Sequence, residues 1–375
     1  MLKVTFPHLG NFYIPCRALL QELDLEPVVP PLTSQRTISL GTKIAPEFAC
    51  FPFKVNLGNY IEAIEAGAEC ILMAGGVGPC RFGYYGEVQR EVLKDSGYNV
   101  EFLVLEAPKT HPWELWRNIK RVIPRHKLSY LMKALYIFWL KARAIEDYDR
   151  LANKFRPAEQ IPGTTNRLQN NFYQMIDRAS TIKGIKRVFT EATAELKAIP
   201  LKQPEVSLKI ILVGEIYIVL EPRINFQMER VLGGMGVEVK RTIYLSDWIF
   251  EHLCLSIFKP AWYKELQLLA KPYLTSAVGG HGLETVAHSV AAGANHFQGI
   301  IELAPFTCMP EIIAMQALPA VSRDYSIPVL TVIIDEHSSQ TAVETRLEAF
   351  TDLLKYGSKR ACPETGNKNR PSFRS

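Results

Sequence analysis

Apolar positions along this chain follow two rhythms. Short continuous runs bounded by glycine, proline or charged residues predict buried strands, and stretches whose apolar positions recur every three or four residues predict helices. Up to residue 111 the two alternate. Leu2–Phe6, Glu26–Val29, Cys70–Met73 and Val100–Leu105 read as strands, and Ile14–Leu23, Asn56–Ala66 and Tyr85–Ser96 as helices, the last two stopped by Gly67 and Gly97. Such alternation implies a parallel sheet covered by helices. Residues 112–203 change character. Leu128–Asn153 and Glu159–Ala198 keep a helical period, interrupted at Pro157, Pro162 and Gly163. From 204 the alternation returns, with strands at Lys209–Val213, Val237–Val239, Gly299–Leu303 and Val329–Ile334 and helices at Asn225–Gly234, Trp248–Phe258 and Thr341–Tyr356. The expected architecture is α/β: two Rossmann-like (flavodoxin-like) parallel-sheet domains, 1–111 and 204–357, with a helical segment 112–203 between them and a polar, disordered tail 358–375.

Composition narrows the classes. With 47% apolar and 22% charged residues over 375 positions, the chain can bury sizeable cores. A net charge of +5 makes no case for nucleic acid, though it suits anionic ligands. The basic run Lys120, Arg121, Arg125 and Lys127 reads as a solvated helix face. The start, Met1–Pro7, reads as a strand and not as an export signal. The most apolar stretch, Ala134–Leu140, is flanked by Lys133 and Lys141 and is too short to span a bilayer. A cytoplasmic protein without membrane contact is the expectation.

Seven cysteines (Cys16, Cys50, Cys70, Cys80, Cys254, Cys308 and Cys362) in such a protein are not expected to form disulfides. Three share a setting. Cys50 stands in Ala45-Pro46-Glu47-Phe48-Ala49-Cys50-Phe51-Pro52, Cys80 closes Met73-Ala74-Gly75-Gly76-Val77-Gly78-Pro79-Cys80, and Cys308 stands in Leu303-Ala304-Pro305-Phe306-Thr307-Cys308-Met309-Pro310. Each precedes a helix, and two follow strands, where open α/β sheets build their ligand sites. Thiolates are the donors iron–sulfur clusters take. Gly76 and Gly78 let backbone N–H groups approach closely, and a helix start aims its dipole at an anion. Spacing alone leaves other readings open: buried structural cysteines, a zinc site, or a Cys–His nucleophile, although the eight histidines offer no clear partner.

The same segments carry a resemblance. Pro46–Lys54, Gly78–Tyr85, Pro305–Glu311 and the closing Asp335-Glu336-His337 with Thr345–Phe350 resemble the cysteine motifs and final segment of the cluster-bearing subunits of 2-hydroxyacyl-CoA dehydratases and benzoyl-CoA reductases. The nearest branch is that of proteins related to acyl-CoA dehydratase activases. The likeness spans most of residues 1–357. It implies a [4Fe-4S] cluster on Cys50, Cys80 and Cys308, with one iron open to substrate. It also implies a low-potential electron from an ATP-dependent activator ATPase of actin-like fold, and reduction of an acyl-CoA thioester to a ketyl radical that expels a substituent. This chain has no G-x-x-x-x-G-K-[ST] sequence, which leaves ATP to that partner. A sister subunit or a second copy is a further implied partner. Some relatives carry an [8Fe-9S] double cubane and reduce small molecules; here the extra donors would come from Cys16, Cys70 and Cys254, of which the latter two read as core.

Other residues carry paired readings. Arg81 suits a CoA phosphate or the cluster's charge, or else a surface ion pair. His281 and Glu284, in Gly279-Gly280-His281-Gly282-Leu283-Glu284, form a proton-transfer pair or a helix cap. Asp335–His337 suits acid–base work or capping, and Gly214-Glu215-Ile216-Tyr217 reads as a strand-to-helix turn facing the same crevice. Against an enzyme component stand an electron-transfer or cluster-carrying protein and a zinc or metal-free binding module, since fold and cluster do not define a reaction.

Overall fold

A computed structural model describes residues 1–76, 80–105, 120, 128–202, 208–249, 261–276 and 278–360. Gly78, Cys254 and Cys362 lie outside the described residues, as do the polar tail from 361 and most of the expected Trp248–Phe258 helix. The chain divides into two compact units. One comprises Met1–Asp149, Leu168–Glu195 and Tyr244–Lys259; the other comprises Arg150–Arg167, Leu196–Ile243 and Pro260–Ser375. Each contains one four-stranded, all-parallel sheet flanked by helices, the α/β architecture that the alternating pattern predicts.

In the first unit, β1 (Lys3–Thr5), β2 (Glu26–Pro27), β3 (Cys70–Ala74) and β4 (Glu101–Leu105) lie in the order β2-β1-β3-β4. Val4 pairs with Pro27 on one side and Cys70 on the other. The helices are α1 (Tyr13–Glu22), α2 (Gln35–Ile44), α3 (Phe51–Glu65) and α4 (Tyr85–Asp95). The pattern did not predict α2. Its start is fixed by Ser34, which accepts from the Thr37 backbone N–H while the Thr37 hydroxyl accepts from the Ser34 N–H, a reciprocal cap. Thr37 also donates to the buried Glu62 at 2.6 Å. The two helices touch backbone to backbone: a Cβ added at Gly41 would sit 1.7 Å from the Lys54 carbonyl oxygen, and one at Gly58 1.9 Å from that of Thr37. That contact buries nearly the whole length of α3, including Lys54, Asn56 and Asn59.

The helical stretch forms α5 (Leu128–Phe155), α6 (Thr164–Arg178) and α7 (Ile182–Lys197); Pro157 and Pro162-Gly163 both fall between α5 and α6, while the expected run Glu159–Ala198 is also broken between Arg178 and Ile182. Within the first unit, Tyr148 stacks on Phe172 at 4.2 Å.

In the second unit β5 (Leu208–Gly214) leads through α8 (Ile216–Leu220) and α9 (Met228–Gly234) to β6 (Val237–Arg241). The expected helix Asn225–Gly234 begins only at Met228. Phe226 and Gln227 adopt φ of 56° and 54°, and the Asn225 amide is engaged in donating to the carbonyls of Ile218 and Val219. The short α10 (Leu245–Ile249) belongs to the first unit, where the buried Glu146 accepts from the Ser246 N–H at 2.9 Å. The second unit then adds α11 (Ala261–Ala270), α12 (Gly282–Ala294), β7 (Gly299–Pro305), α13 (Met309–Tyr325), β8 (Val329–Ile334) and α14 (Gln340–Arg360). Its strand order, β6-β5-β7-β8, repeats that of the first sheet. In both, the chain reverses direction across the sheet between the first strand and the third, and such a switch point opens a crevice at the strand carboxyl ends. Gly214 stands there with φ of 135°, where a Cβ would lie 2.1 Å from the Leu303 carbonyl oxygen. Among the described residues, no helix is long and apolar enough to cross a membrane.

Candidate functional site

Each of the three singled-out cysteines is the residue immediately before a helix. Cys50 caps α3, Cys80 caps the 3-10 turn Arg81–Tyr84 that runs into α4, and Cys308 caps α13, all with extended backbones (ψ of 154°, 131° and 104°). Two of the turns are alike in sequence, Cys50-Phe51-Pro52 and Cys308-Met309-Pro310, with proline inside the first helical turn where its missing N–H costs nothing. The first backbone N–H groups of a helix have no partners in the helix, so an anion beside such a cysteine meets donors and the positive end of the dipole.

In the first unit the structure brings two of these loops together. The Arg81 guanidinium donates to the carbonyl oxygen of Phe48 at 2.8 Å, tying the loop after β3 to the loop before α3. The Cys50 thiol touches the Tyr85 hydroxyl. Tyr85 is in turn held edge-on by Phe53 at 5.0 Å and beside Phe82 at 5.3 Å. Arg81 therefore spends at least one donor on organising the two cysteine loops. The space left by the absent side chain of Gly76 is taken up by Phe82, whose ring lies 2.6 Å from where a Cβ would be. Phe48 and Tyr84 stand exposed beside this pair of loops.

In the second unit Cys308 is buried, at the carboxyl end of β7. Thr307 before it adopts φ of 63°, which is unfavourable by about 1–2 kcal/mol for a β-branched residue. The strand-to-helix turn is therefore held in a strained form by its surroundings. Phe306, Met309 and Ile312 are exposed around it. At the adjacent N-terminus, Gly282 lets α12 approach α13 until a Cβ there would lie 2.5 Å from the Pro310 carbonyl oxygen. His281 caps α12 after Gly279 and Gly280 in left-handed conformations (φ of 77° and 53°).

Four carboxyl groups gather behind this edge: Glu215 after β5, Glu284 in the first turn of α12, Glu302 on β7 and Glu311 in the first turn of α13. Desolvation pushes Glu215, Glu284 and Glu302 up to about 7. Glu311 is raised further, by burial first and then by repulsion from the other three. Thr331 donates to Glu302 at 2.6 Å and Thr285 to Glu311 at 2.9 Å. Of the four, the sequence singled out only Glu284 as an acid–base candidate, and Glu215 and Glu311 only as parts of a turn and of a cysteine motif. Glu302 had a signal, a lone acid inside the apolar run Gly299–Pro305, but the period of a buried strand masks it.

Asp335 accepts from the His337 N–H at 3.0 Å and the Ser338 hydroxyl at 2.8 Å, a cap for the turn before α14. Cys70 is buried in β3 and its thiol is pushed up to about 12 by desolvation; burial also raises the Cys16 thiol strongly. Among the described residues no three His, Cys, Asp or Glu side chains form a ready metal-binding group.

No protein-family model matches the chain, and no curated protein does. Among solved structures, one described as the crystal structure of an SsGBP and GDP complex aligns with 94% of this chain and 99% of that one, at 11% identity and a TM-score of 0.21. A likeness of that degree says nothing about ligand or activity.

Proposed function

We propose that this chain is an iron–sulfur protein that binds one [4Fe-4S] cluster through Cys50, Cys80 and Cys308. On this reading it takes a low-potential electron from a separate ATP-dependent activator and reduces an acyl-CoA or a related small molecule. The observation that carries the reading is the placement of three thiols, each directly before a helix start, two of them on matching Cys-x-Pro turns. The donor set fits in its chemistry: soft sulfur ligands at helix starts, where the positive end of the dipole favours an anionic group. The reading rests on each thiol within its own unit.

The bound cluster supplies one-electron chemistry and an open coordination position. The chain's own residues do the rest. Arg81 fixes the separation of the Cys50 and Cys80 loops, Tyr85 presents a hydroxyl to the Cys50 sulfur, and the strained Thr307 turn sets the direction of the Cys308 side chain. Cys16 and Cys70 are poor candidates for a second cluster, because Cys16 lies inside α1 and Cys70 in the buried strand β3, and neither stands directly before a helix start as the other three do. A single cubane is therefore favoured over the double one.

Iron and acid-labile sulfide per chain after anaerobic purification test the proposal. The expected result is about four irons per chain, lost in Cys308→Ala and in Cys50→Ala. About eight irons would replace it with the double-cubane reductase, and none after reconstitution would overturn it.

A further inference from the structure

The second unit encloses more acid than a structural role requires. Glu302 and Glu311 are both fully buried, one on the central strand β7 and one on the helix packed over it. A threonine hydroxyl satisfies one oxygen of each. The other oxygen, Oε1 in both, is buried without any hydrogen-bond partner. Among the described residues neither acid has a basic partner. A buried, unpaired carboxylate is far costlier than a carboxylic acid, and two that repel each other cannot both ionise cheaply. Burial is graded outward from this pair: Glu215 and Glu284 are only partly covered, and both repel Glu311. Glu284 lies two residues along α12 from Gly282, whose backbone abuts Pro310 in the first turn of α13, the helix that Cys308 caps.

We propose that Glu302 and Glu311 hold at least one proton between them at neutral pH, and that with Glu284 and Glu215 as the outlet the four carboxyl groups form a proton store opening beside the Cys308 turn. The groups facing it include these four acids, the hydroxyls of Thr285 and Thr331, His281 at the cap of α12, and Tyr263 on α11, whose phenol is pushed up by burial and by Glu284. His288 further along α12 is influenced by Lys240 and not by the acids. In use, the O–H bond of Glu284 breaks as a new O–H or C–H bond forms on a substrate. The Glu302–Glu311 pair returns a proton to Glu284, and water restores the pair through Glu215. A protonated store stands independently of the iron–sulfur reading; its use as an acid in reductive chemistry rests on that reading, since adding electrons to an organic substrate consumes protons.

Infrared spectroscopy of the full chain in D2O, scanned across neutral pH, tests the store directly. The expected result is a carbonyl band of buried carboxylic acid that persists at neutral pH and is diminished or shifted in Glu302→Gln and in Glu311→Gln. Absence of the band in the unaltered chain, or its survival unchanged in both variants, would overturn the proposal. Should either glutamine variant fail to fold, Thr331→Val reads the same pair. Without the hydroxyl donor the carboxylate form of Glu302 is less stable, so the band should disappear only at higher pH, and an unmoved midpoint overturns the proposal. A chain that takes up no iron yet keeps the band loses the cluster and retains the store, and an iron-loaded chain without the band does the reverse.

Discussion

Gly58→Ala is expected to destabilise the first unit by about 3 kcal/mol. A Cβ at this position would lie 1.9 Å from the Thr37 carbonyl oxygen and 2.7 Å from its carbon, both backbone atoms that no rotamer change can move aside. The only relief is to push α2 from α3. That separation strains the Thr37–Glu62 hydrogen bond at 2.6 Å and the Arg36–Glu62 contact at 3.1 Å, and admits water to the buried face of α3. Gly41→Ala presses on the same seam from the other helix, against the Lys54 carbonyl, and should behave alike. Because Cys50 caps α3, either change should also disturb the Cys50–Tyr85 contact. The control is Gly234→Ala at the end of α9, where nothing lies within 4 Å of the added atom; it should stabilise by about 0.5–1 kcal/mol. Denaturant unfolding of the three variants decides the matter. A loss below about 1 kcal/mol for Gly58→Ala would mean that the two helices are not locked by this contact.

The second unit should lose stability as pH rises from about 5 to about 8, the reverse of ordinary acid denaturation. Glu215, Glu284 and Glu302 are raised to about 7, and Glu311 well above its usual range. In the unfolded chain all four ionise near the usual carboxylate value, so the folded form binds more protons across that interval. Their stabilising contribution is fully present below the unfolded value and is lost as pH climbs through the folded one. For the fully buried Glu302 the swing is about 3 kcal/mol. Glu215 and Glu284, partly exposed, contribute less. One group opposes them. Burial depresses His288 to about 4, so below its ordinary range it favours the unfolded chain. It offsets one carboxyl on the acid side and none above neutrality. Glu302→Gln should therefore flatten the profile and make the protein more stable than the unaltered chain at about pH 8. A series of unfolding midpoints across that range checks it, and a profile that rises with pH would contradict the raised carboxyls.

The site was legible in parts. The cysteine settings stood out because proline and glycine punctuate them, and punctuation is local. The turn at Cys308 needed no tertiary information to be read as a helix start, whereas the helix after Cys50 was expected only from Asn56 and begins at Phe51. The helix α2 was hidden for the opposite reason. Gly41 and the threonines at 37 and 42 weaken a helical signal, and what compensates them is contact with α3, far along the chain. Arg81 read equally well as an anion ligand or a surface ion pair, and its bond to the Phe48 carbonyl is neither. The acid pair was the least legible feature. Glu302 and Glu311 sit in different elements, and each alone looks like an ordinary charged residue in an apolar neighbourhood.

The sequence by itself determined the alternation of strands and helices, hence two parallel α/β units, and the breaks at Pro157, Pro162 and Gly163. These follow from hydrophobic period and from residues whose backbone preferences are intrinsic. Only the tertiary structure decided the shared strand order of the two sheets and the backbone seam of Gly41 and Gly58. It alone set the left-handed Thr307 before Cys308 and the enclosure of four carboxyl groups beside one strand end. Each of those depends on which distant segments pack together, and burial, not residue type, then sets whether a carboxyl carries a proton.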